Sequence, residues 1–142
     1  MDLSGAASLE SIGIYAFGYT RITGTLVIPA NVETIGEGAF GDTKLTGLDL
    51  SKAESLVSIS VGAFAHTDIT GTLMIPANVE TIGGYAFLET KLTGLDLSNA
   101  ASLVSIGYGA FFNTDITGTI VIPANVEIGD NAFPSGVTIV KG

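Results

Sequence analysis

The stretch Ile22-Thr23-Gly24-Thr25-Leu26 indicates a repeat architecture, because it returns twice at a fixed distance along the chain. It recurs unchanged at residues 69–73 and, with Ile120 in the last place, at residues 116–120, so both offsets are 47 residues. Self-similarity at a period of 20–50 residues is the signature of a solenoid or a related repeat architecture. The sequence therefore predicts a single solenoid domain over residues 1–142, built on a double repeat.

Each block of 47 residues divides into two similar units, Ile22–Lys44 and Leu45–Asp68, of which the second is slightly longer. Both units run from an apolar-Thr-Gly step through a short strand and a turn to Ile-Gly, and then to Ala-Phe. The Ala-Phe pairs are Ala16-Phe17, Ala39-Phe40, Ala63-Phe64, Ala86-Phe87, Ala110-Phe111 and Ala132-Phe133. Six such pairs indicate about six coils.

Alternation of apolar and outward residues predicts a short strand in every unit. In Leu48-Asp49-Leu50 the two leucines are expected to face the core and the aspartate to face outward, and Leu26-Val27-Ile28 has the same pattern. Stacked coils would pair these strands into a parallel sheet on one face, with rungs about 4.8 Å apart. The Ala-Phe segment is predicted to form a short helical turn on the opposite side, with phenylalanine in the core.

Glycine follows isoleucine just before most of these turns. We expect these glycines to supply a backbone angle that other residues resist, although Ser60 holds the place in the third coil. The glycines concerned are Gly13, Gly36, Gly83, Gly107 and Gly129.

Residues 75–87, with the sequence Ile-Pro-Ala-Asn-Val-Glu-Thr-Ile-Gly-Gly-Tyr-Ala-Phe, resemble the BspA-like (Treponema pallidum type) leucine-rich repeat. The resemblance extends over essentially the whole chain. It departs from the family where threonine replaces the usual cysteine after Ala-Phe, at Thr20, Thr43, Thr67, Thr90 and Thr114. The resemblance implies a right-handed leucine-rich-repeat solenoid and an extracellular or cell-surface protein that binds host or matrix proteins.

Composition excludes several classes of function. Five Lys and Arg stand against 14 Asp and Glu, for a net charge of -9, which disfavours nucleic acids and anionic membrane surfaces as partners. With no Cys and one His, thiol chemistry and multi-histidine metal sites are excluded. No apolar run approaches the roughly 20 residues of a membrane span, and no secretory signal is visible.

No catalytic motif occurs in the chain. Phosphate-binding, serine-hydrolase, zinc-protease and dinucleotide-binding signatures are all missing from the sequence. The single histidine, His66, is interpreted as a surface residue, because its counterparts in other coils are interchangeable polar residues. We therefore predict a protein that is not an enzyme and that has no cofactor and no metal site.

The outward strand positions form one column along the predicted sheet. The column reads Asp2, Val27, Asp49, Met74, Asp96 and Val121. The family resemblance implies that this sheet lines a concave binding face. Calcium is not expected there, because aspartates two rungs apart are separated by about 9–10 Å, whereas ligands lie about 2.3–2.6 Å from the ion. Two interpretations stay open, a solubility stripe that blunts the sheet and a stripe that binds a partner.

Large apolar side chains that the repeat does not require gather around the Ala-Phe turn. They are Tyr15, Tyr19, Tyr85, Leu88, Tyr108 and Phe112. Such residues form either an exposed patch that marks an interface or packing between neighbouring turns.

A charged column precedes the apolar-Thr-Gly step. Its members are Arg21, Lys44, Asp68, Lys91 and Asp115. From Lys44 onward the signs alternate, so we expect ion pairs between successive coils, each contributing a few tenths of a kcal/mol.

The two ends leave the natural context open. The chain begins inside a coil without a polar capping unit, and it closes with the apolar Val137-Thr138-Ile139-Val140. This is consistent with a fragment of a longer array, an engineered repeat, or a head-to-tail assembler. The leading functional prediction is an interaction module that binds a neutral or basic protein partner through the concave sheet or the aromatic turns. The alternative is a structural, self-assembling solenoid.

Overall fold

Twelve short strands follow one another in the computed structural model, which describes residues 1–142, and no helix lies between them. The strands wind into a parallel solenoid of about six coils. Their bounds are β1 Ser11–Ile12, β2 Thr23–Val27, β3 Thr34–Ile35, β4 Lys44–Asp49, β5 Ser58–Ile59, β6 Thr70–Met74, β7 Thr81–Ile82, β8 Lys91–Asp96, β9 Ser105–Ile106, β10 Gly118–Ile122, β11 Glu127–Ile128 and β12 Val137–Lys141.

The continuous sheet is built from the two-residue strands and not from the longer ones. Its order is β1-β3-β5-β7-β9-β11, and isoleucine stacks on isoleucine from coil to coil. The longer strands form only three separate pairs, β2–β4, β6–β8 and β10–β12. The expectation of one sheet running through Leu26-Val27-Ile28 and Leu48-Asp49-Leu50 is therefore wrong.

Unequal spacing along the chain explains why the longer strands pair only two by two. Val27 and Asp49 are register partners, and the register of their pair shifts at Gly24/Thr25, which leaves Thr46 unpaired. The path along the chain from Asp49 to Met74 is longer than the path from Val27 to Asp49. The longer return path leaves the chain against β4 only where β6 begins, since the Asp68 amide, just before β6, donates to the carbonyl of residue 45 at 3.0 Å.

The Ala-Phe segment is a pair of tight turns, so the predicted helical turns are wrong. Two residues four positions apart have positive φ in the same coil, for example Tyr15 at 52° and Tyr19 at 60°. Left-handed residues end a right-handed helix. The amide groups alternate between partners in the same turn and in the next coil, since Ala16 donates to the Gly13 carbonyl at 3.2 Å and Phe17 donates to the Ala39 carbonyl at 2.8 Å. Hydrogen bonds between coils therefore interrupt the helical pattern at every second amide.

The glycines of the Ile-Gly step are required for close approach and not for an unusual angle, which corrects the expectation for them. From the second coil onward, a Cβ at these positions would lie 2.4–2.7 Å from backbone atoms of the preceding coil. Positive φ occurs two residues later, just before Ala-Phe, at Gly38 (60°), Gly62 (64°) and Gly109 (62°). The tight packing of successive turns therefore sets the requirement.

Phenylalanines stack through the centre of the solenoid. Neighbouring rings have centroids 5.2–5.4 Å apart and planes within 11° of each other. The stack contains Phe17, Phe40, Phe64, Phe87, Phe111 and Phe133. Its four inner members are fully buried within a core cluster of 33 residues. The prediction that phenylalanine fills the core is confirmed.

The threonines that replace the family's cysteine bind the backbone of this stack. The hydroxyls of Thr43, Thr67 and Thr114 donate to the phenylalanine carbonyl three residues earlier, at 2.8, 2.9 and 2.9 Å. Thr90 is equally buried, but its hydroxyl has no hydrogen-bond partner. The threonines therefore hold the turns in place, with one exception in the fourth coil.

Candidate binding surfaces

The outward aspartates of the longer strands cap the turns that follow them. The carboxylate of Asp49 accepts the Ser51 amide at 2.8 Å, and in the same way Asp2 accepts the Ser4 amide and Asp96 accepts the Ser98 amide. Hydrogen bonding from Ser51, through its side chain and then its amide, lowers the pKa of Asp49 below its ordinary value of 3.8. An aspartate that binds the backbone two residues on is a known turn device, so the repeated Asp-Leu-Ser triplet was the signal for this role.

A cleft opens wherever two pairs of longer strands meet. The largest encloses about 630 Å³ between β4 and β6, with Leu50 and Leu73 buried at its base and Leu48 half-buried. Asp49 and Met74 lie at its rim. The cleft exists because the strands separate after their first residues.

Hydrogen bonds close this cleft at both ends. At one end the Thr70 hydroxyl donates to the Thr46 carbonyl at 3.2 Å. At the other end the Asn78 side chain donates to the Glu54 carbonyl at 2.6 Å. The opening between these bonds is therefore part of the fold.

Equivalent clefts flank the first one at the period of the double repeat. One encloses about 410 Å³ between β8 and β10, with Asp96 and Val121 at its rim. The other encloses about 400 Å³ between the first coil and β2, with Asp2 and Val27 at its rim. We call the three openings the strand-face clefts.

The predicted outward column is thus divided into pairs across these clefts. Each cleft has one aspartate and one apolar residue at its rim. The apolar members are exposed, with Val27 at 37%, Met74 at 48% and Val121 at 58%. Within the strand pairs, Val27 is the register partner of Asp49, and Met74 of Asp96. The continuous stripe predicted from the sequence is therefore a row of separate openings.

The surface formed by the Ala-Phe turns, which we call the turn face, carries its large side chains in two groups. Tyr15 and Tyr19 stack with ring centroids 6.2 Å apart, and Tyr85 meets Tyr108 edge to face at 5.4 Å. Leu88 is half-buried in the same coil as Tyr85, and Phe112 is 38% exposed in the same coil as Tyr108. The first coil holds one group, and the fourth and fifth coils hold the other.

The charged column stacks in register but makes no ion pairs. The Lys91 amide donates to the carbonyl of residue 69 and the Asp115 amide to that of residue 92, so these residues occupy equivalent places in successive coils. The single ion-pair contact in the chain joins His66 Nδ1 to Glu89 Oε2 at 3.0 Å. The expected lysine–aspartate pairs are not formed, and the exposed side chains are solvated separately. His66 is 44% exposed, as the sequence indicated.

No three acidic or histidine side chains are grouped in a way that could hold a metal ion. No helix of sufficient length and apolar character to cross a membrane is present.

Comparison with known proteins places these features in a family. The family model described as "BspA type Leucine rich repeat region" matches residues 10–139 in six copies. No curated protein sequence matches significantly. Among solved structures, the crystal structure of the pneumococcal vaccine antigen PcpA is similar, with a TM-score of 0.79 and 23% sequence identity.

That likeness covers 91% of this chain but 35% of the pneumococcal chain, so this chain spans about a third of its length. At this identity the likeness shows the fold, a right-handed parallel β-solenoid of the leucine-rich-repeat kind. Proteins with this fold are typically not enzymes. With six matched repeats over residues 10–139, the chain belongs to the BspA-type leucine-rich repeat family.

Proposed function

We propose that the chain is a non-enzymatic interaction module of an extracellular or surface-exposed protein, and that it binds a protein partner through the strand-face clefts. The observation that carries the proposal is the recurrence of one cleft, with one aspartate and one apolar residue at its rim, at each double repeat. The family and the likeness to a pneumococcal antigen support a surface location.

The spacing of the clefts suits an extended segment of a partner. Successive clefts lie two coils apart, which is about 10 Å along the solenoid. A polyproline II segment repeats the same face every three residues, which is about 9.3 Å. Apolar side chains at every third position would enter successive clefts and bury the exposed Met74 and Val121.

The charge of two of the three clefts favours neutral or basic partner segments, since Asp49 and Glu54 line one and Asp96 lines another, whereas Lys52 offsets Asp2 in the third. The aspartates at the rims are ionised at neutral pH, because the ordinary aspartate pKa of 3.8 is already far below it and the bonds from serine lower the pKa of each carboxyl further. The chain has a net charge of -9, so a long-range field would attract cationic partners and repel acidic ones.

The test is binding of a panel of purified extracellular-matrix proteins to the immobilised chain and to two variants. The first variant, Met74→Asp with Val121→Asp, places charge at the rims of two clefts. The control is Val104→Asp, since Val104 is 55% exposed and lines no cleft. We expect affinity to fall at least tenfold in the first variant and less than twofold in the control. Equal losses, or no binding by the wild type, would contradict the proposal.

An alternative is end-to-end stacking of copies, and one observation favours it. Strand β12 pairs only with β10 and exposes Ile139 and Val140, and an exposed apolar edge strand can pair with another chain. Sedimentation velocity over a hundredfold range of concentration distinguishes the two functions. A monomer at every concentration excludes stacking.

A further inference from the structure

We propose a second binding site on the turn face, above Gly62, that takes an arginine side chain from a basic segment of a protein partner. The site is separate from the strand-face clefts and does not depend on them. The site is formed by one gap in the series of Ala-Phe turns and by the charged side chains around that gap.

The gap arises from the residue that precedes Ala-Phe in each coil. This residue has positive φ in all six coils. In chain order the six residues are Tyr15, Gly38, Gly62, Tyr85, Gly109 and Asn131. Each of the two tyrosines has a glycine at the equivalent place in the next coil, and this glycine leaves room for the tyrosine ring.

The tyrosine rings fill the space above those following glycines. A Cβ at Gly38 would lie 2.3 Å from the Tyr15 ring, and a Cβ at Gly109 would lie 2.9 Å from the Tyr85 ring. A Cβ at Gly62 would meet nothing within 4 Å, because the coil before it has glycine instead of tyrosine. The space that a planar side chain occupies at two equivalent positions is therefore open above Gly62.

Aromatic side chains and small residues shape this opening. A groove of about 260 Å³ has Tyr15 and Tyr19 on the side of the first coil, and Tyr85 and Leu88 on the side of the fourth. Its remaining apolar and small residues come from the second and third coils, and they are Gly38, Gly41, Val61, Gly62 and Ala65. The groove spans the second and third coils and is therefore about 10 Å wide. This width admits one side chain to the floor of the groove.

The charged groups of the groove select a cation. Glu37 and Asp42 line it, and no lysine or arginine does. Apart from the tyrosines, the remaining titratable residue that lines the groove is His66, and its Nδ1 lies 3.0 Å from the Glu89 carboxylate. A cationic occupant would gain two carboxylate partners, whereas a neutral aromatic ring would fill the space and leave both carboxylates unused.

The planar shape of the gap distinguishes arginine from lysine. A guanidinium is flat, stacks on aromatic rings and binds carboxylates through two parallel hydrogen bonds. A lysine ammonium is a compact, strongly hydrated charge that neither fills a slot made for a ring nor stacks in it. Arginine therefore satisfies both the shape above Gly62 and the charge of Asp42 and Glu37.

The experiment is an NMR titration of the full chain labelled with nitrogen-15. The probes are three blocked tripeptides, Gly-Arg-Gly, its citrulline isostere, and Gly-Tyr-Gly. We expect the arginine peptide to shift the amide signals of Gly62 and its neighbours, and the neutral citrulline peptide to bind at least fivefold more weakly. Equal binding of arginine and citrulline, tighter binding of tyrosine, or shifts confined to other surfaces would overturn the proposal.

Two variants test the site itself. Asp42→Asn removes one charge and keeps a residue type that tolerates positive φ. Gly62→Asn fills the gap, and Asn131 already occupies the equivalent place at φ 56°, so this variant is expected to fold. Each variant should lower the affinity for the arginine peptide at least fivefold.

The matched control is Asp130→Asn, which removes one carboxylate from the same face, outside the groove. We expect a change of less than twofold. If Asp130→Asn and Asp42→Asn weaken binding equally, the peptide responds only to net charge and the proposed site is wrong. This outcome leaves the strand-face clefts untouched, because the two tests use different residues and different probes.

Discussion

Replacing Thr43 by valine should destabilise the protein, whereas the same change at Thr90 should stabilise it. Both threonines lie in interior coils with 2% of their surface exposed. The Thr43 hydroxyl donates to the Phe40 carbonyl at 2.8 Å, and no backbone amide donates to that carbonyl. The Thr90 hydroxyl has no partner.

The two hydroxyls therefore differ in the cost of their removal. At Thr43, valine leaves a buried carbonyl without a partner, which costs about 1–3 kcal/mol, while the added methyl group returns up to about 0.8 kcal/mol. At Thr90, valine removes an unpaired buried hydroxyl whose burial itself costs about 1–3 kcal/mol. We expect Thr43→Val to lose about 1–2 kcal/mol and Thr90→Val to gain about 1 kcal/mol.

Urea denaturation followed by far-ultraviolet circular dichroism measures both changes in the free energy of unfolding. The two variants should move the midpoint in opposite directions at equal slope, since the surface exposed on unfolding is the same. Each kcal/mol corresponds to about 2–4 °C in Tm for a chain of this size. Equal destabilisation by the two variants would refute the assignment of separate roles to the two hydroxyls.

Three further outcomes follow from the packing and the turns. Phe64→Ala should cost about 3–5 kcal/mol and Phe17→Ala distinctly less, because Phe64 is fully buried between two rings whereas Phe17 is half-buried beside one; thermal unfolding compares them. Gly107→Ala should lower Tm strongly, because its Cβ would lie 2.4 Å from a backbone nitrogen, whereas Gly136→Ala, with nothing within 4 Å, should change stability by less than about 0.5 kcal/mol. The lowered pKa of Asp49 contributes stability above the unfolded value near 3.8, and this stability is lost as pH falls through the folded pKa. As pH is lowered, the urea midpoint of Asp49→Asn should therefore fall less steeply than that of the wild type.

The core and the repeat could be predicted from sequence because both depend on local patterns. Leu26, Ile28 and Leu50 are buried as the alternation indicated, and the phenylalanines form the centre of every coil. Leu48 has the same pattern but is half-buried, because the neighbouring strand separates from it. Alternation predicts which face a side chain takes and does not predict whether the next coil covers that face.

The candidate binding surfaces were harder to predict, since they depend on contacts between coils. The sequence identified the residues at the rims of the clefts, but it placed them in one stripe. It also grouped six large side chains that the structure separates into two sets. Glu37 and Asp42 belong to no motif in the sequence, because their relevance depends on the uncovered Gly62 between two aromatic groups.

The solenoid, its number of coils and its phenylalanine core follow from the amino-acid sequence, because a period of 47 residues with an apolar ring in every unit can bury its core only by stacking. Contacts between coils determine which strands pair, which turns form and where the surface opens. These features follow from small differences in path length between coils and from backbone hydrogen bonds that cross from one coil to the next. A repeat pattern records the composition of each coil, whereas the clefts and the gap above Gly62 exist only where two unequal coils meet.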